Sequence, residues 1–157
     1  MTANDQLLEQ LHQFARDELG LFHIVDVERN LTGGVHDTPA LAVAVHSDKG
    51  IPAIVLDATY KQWPQDELIS TYCHEVAHHL LHHVDSRTRV TSKAQPGTIT
   101  RAVALLYERN ERAADEAAKG YAKRFRKWRE DQLLADLQAQ VDEIFVMLGK
   151  TPRRVTK

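Results

Sequence analysis

The chain has 157 residues, 43% hydrophobic and 27% charged, which suits one soluble globular domain built on one core. Its net charge is −2, so no overall field directs it to nucleic acid, and no stretch reaches the roughly 18 apolar residues of a membrane span. The charge is uneven: residues 1–120 carry 11 Lys+Arg against 17 Asp+Glu (−6), residues 121–157 carry 9 against 5 (+4).

In chain order, Leu7, Leu8, Leu11, Phe14, Ala15 and Leu19 recur near helical spacing over residues 4–19. Asn4 or Asp5 is expected to cap that helix and Gly20 to stop it. Residues 21–28 are β-branched and roughly alternating, which predicts a strand, and Thr32-Gly33-Gly34 reads as a turn. Residues 40–46 and 51–56, joined by Ser47-Asp48-Lys49-Gly50, predict a β-hairpin, with Pro52 at a strand start or an edge. Pro64 with Asp66 and Glu67 opens a helix that runs to about His83 or Asp85. A polar loop is expected over 86–98, then a helix over 99–119 that Gly120 breaks or kinks, then a last helix over 121–148. The fold class is α+β: a small antiparallel or mixed sheet packed on a central helix, with further helices at both ends. Within one domain, 1–157, residues 1–62 supply a helix and the sheet, 63–120 the central helices and 121–148 the C-terminal helix.

The central helix carries His74-Glu75-Val76-Ala77-His78. Residues i and i+4 share a helix face, about 6 Å apart along the axis, so two imidazoles can grip one Zn²⁺. Glu75 projects roughly 100° around the helix and can reach a water activated at the metal without ligating it. Two ligands and a general base are the core of a metalloprotease. With 9 His and 10 Glu in the chain, composition alone yields such a run about 3% of the time, so a third ligand has to be found. Residues 107–118 supply one: Glu111 and Asp115 stand at i, i+4 on a helix free of Gly and Pro. Glu111 can complete a three-ligand site with an open fourth position, and Asp115 can accept the outer N–H of a ligating His.

The run His74-Glu75-Val76-Ala77-His78-His79-Leu80-Leu81-His82, followed by Glu111-Arg112-Ala113-Ala114-Asp115, resembles the ImmA/IrrE family of metallopeptidases. The resemblance spans about residues 50–120. It implies a zincin-like fold, with His74, His78 and Glu111 as zinc ligands and Glu75 as catalytic base. It also implies a protein substrate, a transcriptional repressor cleaved in a stress or mobile-element response. Two departures stand out. Ala117 replaces the family's usual aromatic, and these residues include no helix-turn-helix of the kind many members carry, so direct DNA targeting is not implied. A metzincin would need Gly near 81 and His at 84, where this chain has Leu81 and Val84.

The reaction expected is zinc-dependent hydrolysis of a peptide bond, with Tyr60, Tyr72, Tyr107 or His36 donating to the oxyanion. A substrate segment is expected to add as a strand beside 51–57. His82 reads as a residue behind the ligands or in the core, and Cys73 as a small core residue. Leu134, Leu137, Val141, Ile144 and Leu148, spaced 3-4-3-4, are expected to pack on the chain's own core, the alternative being a dimer or partner helix. The run Lys123–Arg129 mixes bases with aromatics, which suits a solvated face with two anchors or, less simply, phosphate contact. Cys73 is the only cysteine, which excludes an internal disulfide framework. With no secretory signal read at the N-terminus, a cytoplasmic location is expected. The alternatives to a protease on a free substrate are one acting on DNA-bound proteins, and a non-catalytic module such as an antirepressor or toxin–antitoxin component.

Overall fold

The N-terminal amphipathic segment forms a helix, α1, over Ala3–Leu19 in the computed structural model, which describes residues 1–33, 38–84 and 101–150. Its cap is Thr2, not Asn4 or Asp5. The Thr2 hydroxyl accepts from Asp5 N–H, and the Asp5 carboxylate accepts from Thr2 N–H, a reciprocal capping box. Asn4 turns inward instead. It is buried, and its amide donates to the carbonyls of Tyr60 (2.8 Å) and Trp63 (2.9 Å). Gly20 ends the helix at φ 69°, a left-handed conformation that glycine adopts without penalty. Leu7, Leu11, Phe14 and Ala15 form the buried face of α1.

Strands β1 (Ile24–Glu28), β4 (Ala42–His46) and β5 (Pro52–Asp57) make a mixed three-stranded sheet in the order β1-β5-β4. β1 runs parallel to β5 with Ile24 opposite Ala53, and β4 runs antiparallel with Val45 opposite Ala53. A two-residue pair, β2 (Thr32–Gly33) and β3 (Thr38–Pro39), forms where a plain turn was expected, and Gly34 lies outside the described residues. β5 is central, so Ala53, Ile54, Val55 and Leu56 are all buried, as both faces of the strand are covered. The expected addition of a substrate strand beside 51–57 is therefore wrong: both edges of β5 are already paired. Pro52 takes the first of its two expected places, a strand start. It is tolerated in a central strand because it is the first residue, where β4 pairs with it and β1 has not begun.

Asp57 caps a short 3-10 turn, Ala58–Gln62, which leads into α2, Gln65–Leu80. α2 packs on β4, β5 and α1 through Leu68, Ile69, Tyr72, Cys73, Val76 and Ala77, all buried. Cys73 is thus a small core residue, outside any disulfide. His79 fixes α2 to the sheet: its buried Nε2 donates to the Ala53 carbonyl at 2.8 Å. The helix stops at Leu80, earlier than the sequence suggested, and His82 takes a left-handed φ of 56°.

The last helix, α3, runs over Arg101–Met147. Gly120 neither ends nor breaks it. One interior glycine costs about 1 kcal/mol against alanine, too little to stop a helix flanked by Ala117-Ala118-Lys119 and Ala122-Lys123. The loop expected over 86–98 and the start of the next helix at 99 lie outside the described residues.

The chain divides into two compact units, residues 1–123 and a second beginning at Arg124. In the second, Leu134, Leu137, Val141, Ile144 and Leu148 expose 43–64% of their surface, so this unit by itself gives the stripe no core to pack on, contrary to expectation. Lys123, Arg124, Arg126 and Lys127 are exposed, and Phe125 stacks with Trp128 at 6.0 Å, the arrangement of a solvated basic face with aromatic anchors. No helix among the described residues is long and apolar enough to cross a membrane.

Candidate metal centre

Two helical segments within the first unit build the site. α2 presents His74 and His78 one turn apart, as their i, i+4 spacing requires, and α3 presents Glu111 opposite them. The two ring Nε2 atoms lie 2.9 Å apart. Glu111 spans both: Oε2 is 3.1 Å from His74 Nε2 and Oε1 is 3.3 Å from His78 Nε2. Bonds of about 2.0–2.2 Å in a tetrahedron put neighbouring donors roughly 3.3–3.6 Å apart, so each of these pairwise separations is close to that spacing or a little tighter. His74, His78 and Glu111 can therefore hold a metal ion.

The outward ring nitrogens explain how the donors are aimed. His74 Nδ1–H donates to Asp115 Oδ1 at 2.8 Å. A carboxylate only accepts, so this bond fixes the proton on Nδ1 and frees Nε2 to ligate. His78 Nδ1 lies 3.1 Å from His83 Nδ1, and both rings are buried. With protons on the Nδ1 atoms of both His74 and His78, two Nε2 lone pairs and a carboxylate converge on one point. Only a cation or a proton relieves that convergence.

The electrostatics agree. The hydrogen bond to Glu111 pushes the His74 pKa up from its ordinary value, burial opposes it, and the charges of Glu75, Glu111 and Asp115 add to the rise. A field that raises an imidazole pKa also favours a metal cation. Glu75, next to His74 on α2, is buried and near enough to contribute to that field.

Of the sequence-derived site residues, the structure brings His74, His78 and Glu111 into one cluster and sets Asp115 behind His74. The oxyanion candidates separate. Tyr72 is buried and donates to His23 Nε2 at 2.5 Å, and Tyr60 donates to Asp5 at 2.5 Å, so each hydroxyl has a structural role elsewhere. Tyr107 stands one turn before Glu111 on α3, and His36 lies outside the described residues. His82, read from sequence as a residue behind the ligands or in the core, is exposed. Its neighbour His83 takes that place, because the left-handed turn at His82 swings the chain back. No glycine marks that turn, so the sequence carried no signal for it.

Compared with family models, curated proteins and solved structures, the chain matches none, so the case for the site rests on its donor geometry.

Proposed function

We propose that this chain is a zinc-dependent endopeptidase with a zincin-like fold, as its resemblance to ImmA/IrrE metallopeptidases implies. The observation that carries the reading is the convergence of His74 Nε2, His78 Nε2 and the Glu111 carboxylate, with Glu75 placed between the two histidines in sequence. Two imidazoles and a carboxylate also suit Fe(II). A glutamate beside the first histidine favours hydrolysis, because it provides a base where water is activated. His74, His78 and Glu111 would hold the zinc ion, which would supply Lewis acidity toward water and a carbonyl.

The chain's own residues do the rest. Glu75 takes a proton from the attacking water and delivers it to the leaving amine as the C–N bond breaks. Asp115 holds His74 in its ligating tautomer. Tyr107, one turn before Glu111 on the same helix, is the candidate donor to the tetrahedral oxyanion in this reading. The substrate in this reading is a protein, and its identity as a repressor is carried by the family resemblance alone. A cytoplasmic location belongs to the same reading, as does the alternative of a protease that acts on DNA-bound proteins through the basic run at 123–129.

Glu75→Gln tests the reading against a non-catalytic module. It should lower peptide cleavage by at least about 10²-fold while leaving zinc content unchanged. A biological effect that survives Glu75→Gln would mean that proteolysis is not the function. Glu111→Ala should lose zinc, and wild-type zinc content in that variant would mean that the third ligand lies elsewhere.

A further inference from the structure

His78 ligates through Nε2 only if its proton sits on Nδ1, and that N–H is deep in the protein: the side chain is 1% exposed. A buried N–H without an acceptor is costly, so something must accept it. At hydrogen-bond distance from His78 Nδ1 stands His83 Nδ1, 3.1 Å away. Two nitrogens facing each other share one proton, so one must donate and the other accept. If His83 donates, His78 carries its proton on Nε2 and presents N–H, not a lone pair, to Glu111. If His83 accepts, the His78 lone pair faces the site.

The contact depends on how α2 ends. On a continuous helix residue i+5 lies about 140° around from residue i and roughly 7.5 Å along, out of reach. Leu81 N–H still bonds to Ala77, but His82 N–H bonds to His79, and His82 then turns left-handed. That reversal carries His83 back under His78, where the rings meet edge to face at 5.2 Å. The two ligands are thus held differently. His74 leans on the mostly exposed carboxylate of Asp115, whereas His78 leans on the buried ring of His83. A carboxylate in that second position would bury another negative charge beside Glu111, and a neutral acceptor avoids this.

We propose that His83 is a positioning residue: its Nδ1 accepts the Nδ1–H of His78 and holds the His78 Nε2 lone pair toward Glu111 and His74. The proposal rests on the metal-site reading above, and zinc binding measured by chelator competition separates the two. His83→Ala should weaken zinc affinity about 10–100-fold. His83→Asn places Oδ1 where Nδ1 stood, keeps an acceptor, and should stay within about threefold of wild type. His82→Gly keeps the left-handed turn without the imidazole and should also stay near wild type. Long-range ¹⁵N NMR of the zinc-loaded wild type should find protons on His78 Nδ1 and His83 Nε2. A structural role alone would not produce the rescue by Asn or that tautomer pair. Wild-type affinity in His83→Ala, failure of Asn to rescue, or a proton on His83 Nδ1 overturns the proposal while leaving the metal site standing. Wild-type protein that binds no zinc overturns both.

Discussion

His23 shows how one side chain couples burial to pH. Its Nδ1–H donates to the Leu21 carbonyl at 3.0 Å and its Nε2 accepts from Tyr72, so both nitrogens are used in the neutral form. Burial pulls its pKa down to about 4, and burial also holds Tyr72 well above the ordinary phenol value, so each keeps its role near neutral pH. The sign follows from proton uptake. Unfolded, His23 binds a proton near pH 6.5; folded, it resists until about pH 4. Stability is therefore unaffected above about pH 6.5 and falls as pH drops toward 4, by up to about 3 kcal/mol from this residue. Urea denaturation of wild type and His23→Gln at pH 7 and pH 5 checks this. The wild type should lose more stability between the two, and an equal loss in both would exclude His23 as the source.

At the scale of elements, α3 shows that a sequence break is a matter of degree. Gly120 sits inside the helix at a backbone conformation open to any residue, and a Cβ there would meet nothing within 4 Å. Gly120→Ala should stabilise the protein by about 0.5–1 kcal/mol, read as a rise in thermal midpoint, because alanine loses less chain freedom on helix formation. A fall in midpoint would show that the helix bends at 120 in solution. α1, β4, β5 and α2 were legible because their apolar residues repeat at helical or strand spacing over long stretches. The cap at Thr2 and the pair β2–β3 were not. A cap depends on which of several polar residues turns inward, and Asn4 is taken by the carbonyls of Tyr60 and Trp63, which sequence distance hides.

At the scale of the whole molecule, the His74–His78–Glu111 cluster ties α2 to α3 across residues distant in sequence. A ligand that binds only the folded state stabilises it by RT ln(1 + [L]/Kd), about 2.7 kcal/mol at one hundred times Kd. Excess Zn²⁺ should raise the thermal midpoint of the wild type and chelation should lower it, whereas Glu111→Ala should hardly respond. A zinc-induced rise of the same size in Glu111→Ala would place the ion elsewhere.

The sequence by itself determined the candidate ligand set. His74 and His78 must share a face because one helix carries both, Glu75 must sit beside them, and Glu111 with Asp115 must repeat that spacing on a second helix. Those relations are local, and local geometry follows from helical period alone. The tertiary structure decided what depends on contacts between distant segments. It put β5 in the centre of the sheet and not at an edge, drew Tyr60 and Tyr72 away from the site, left the stripe from Leu134 to Leu148 exposed, and chose His83 over His82 as the ring behind His78. Period says which residues face the same way; only packing says what they face.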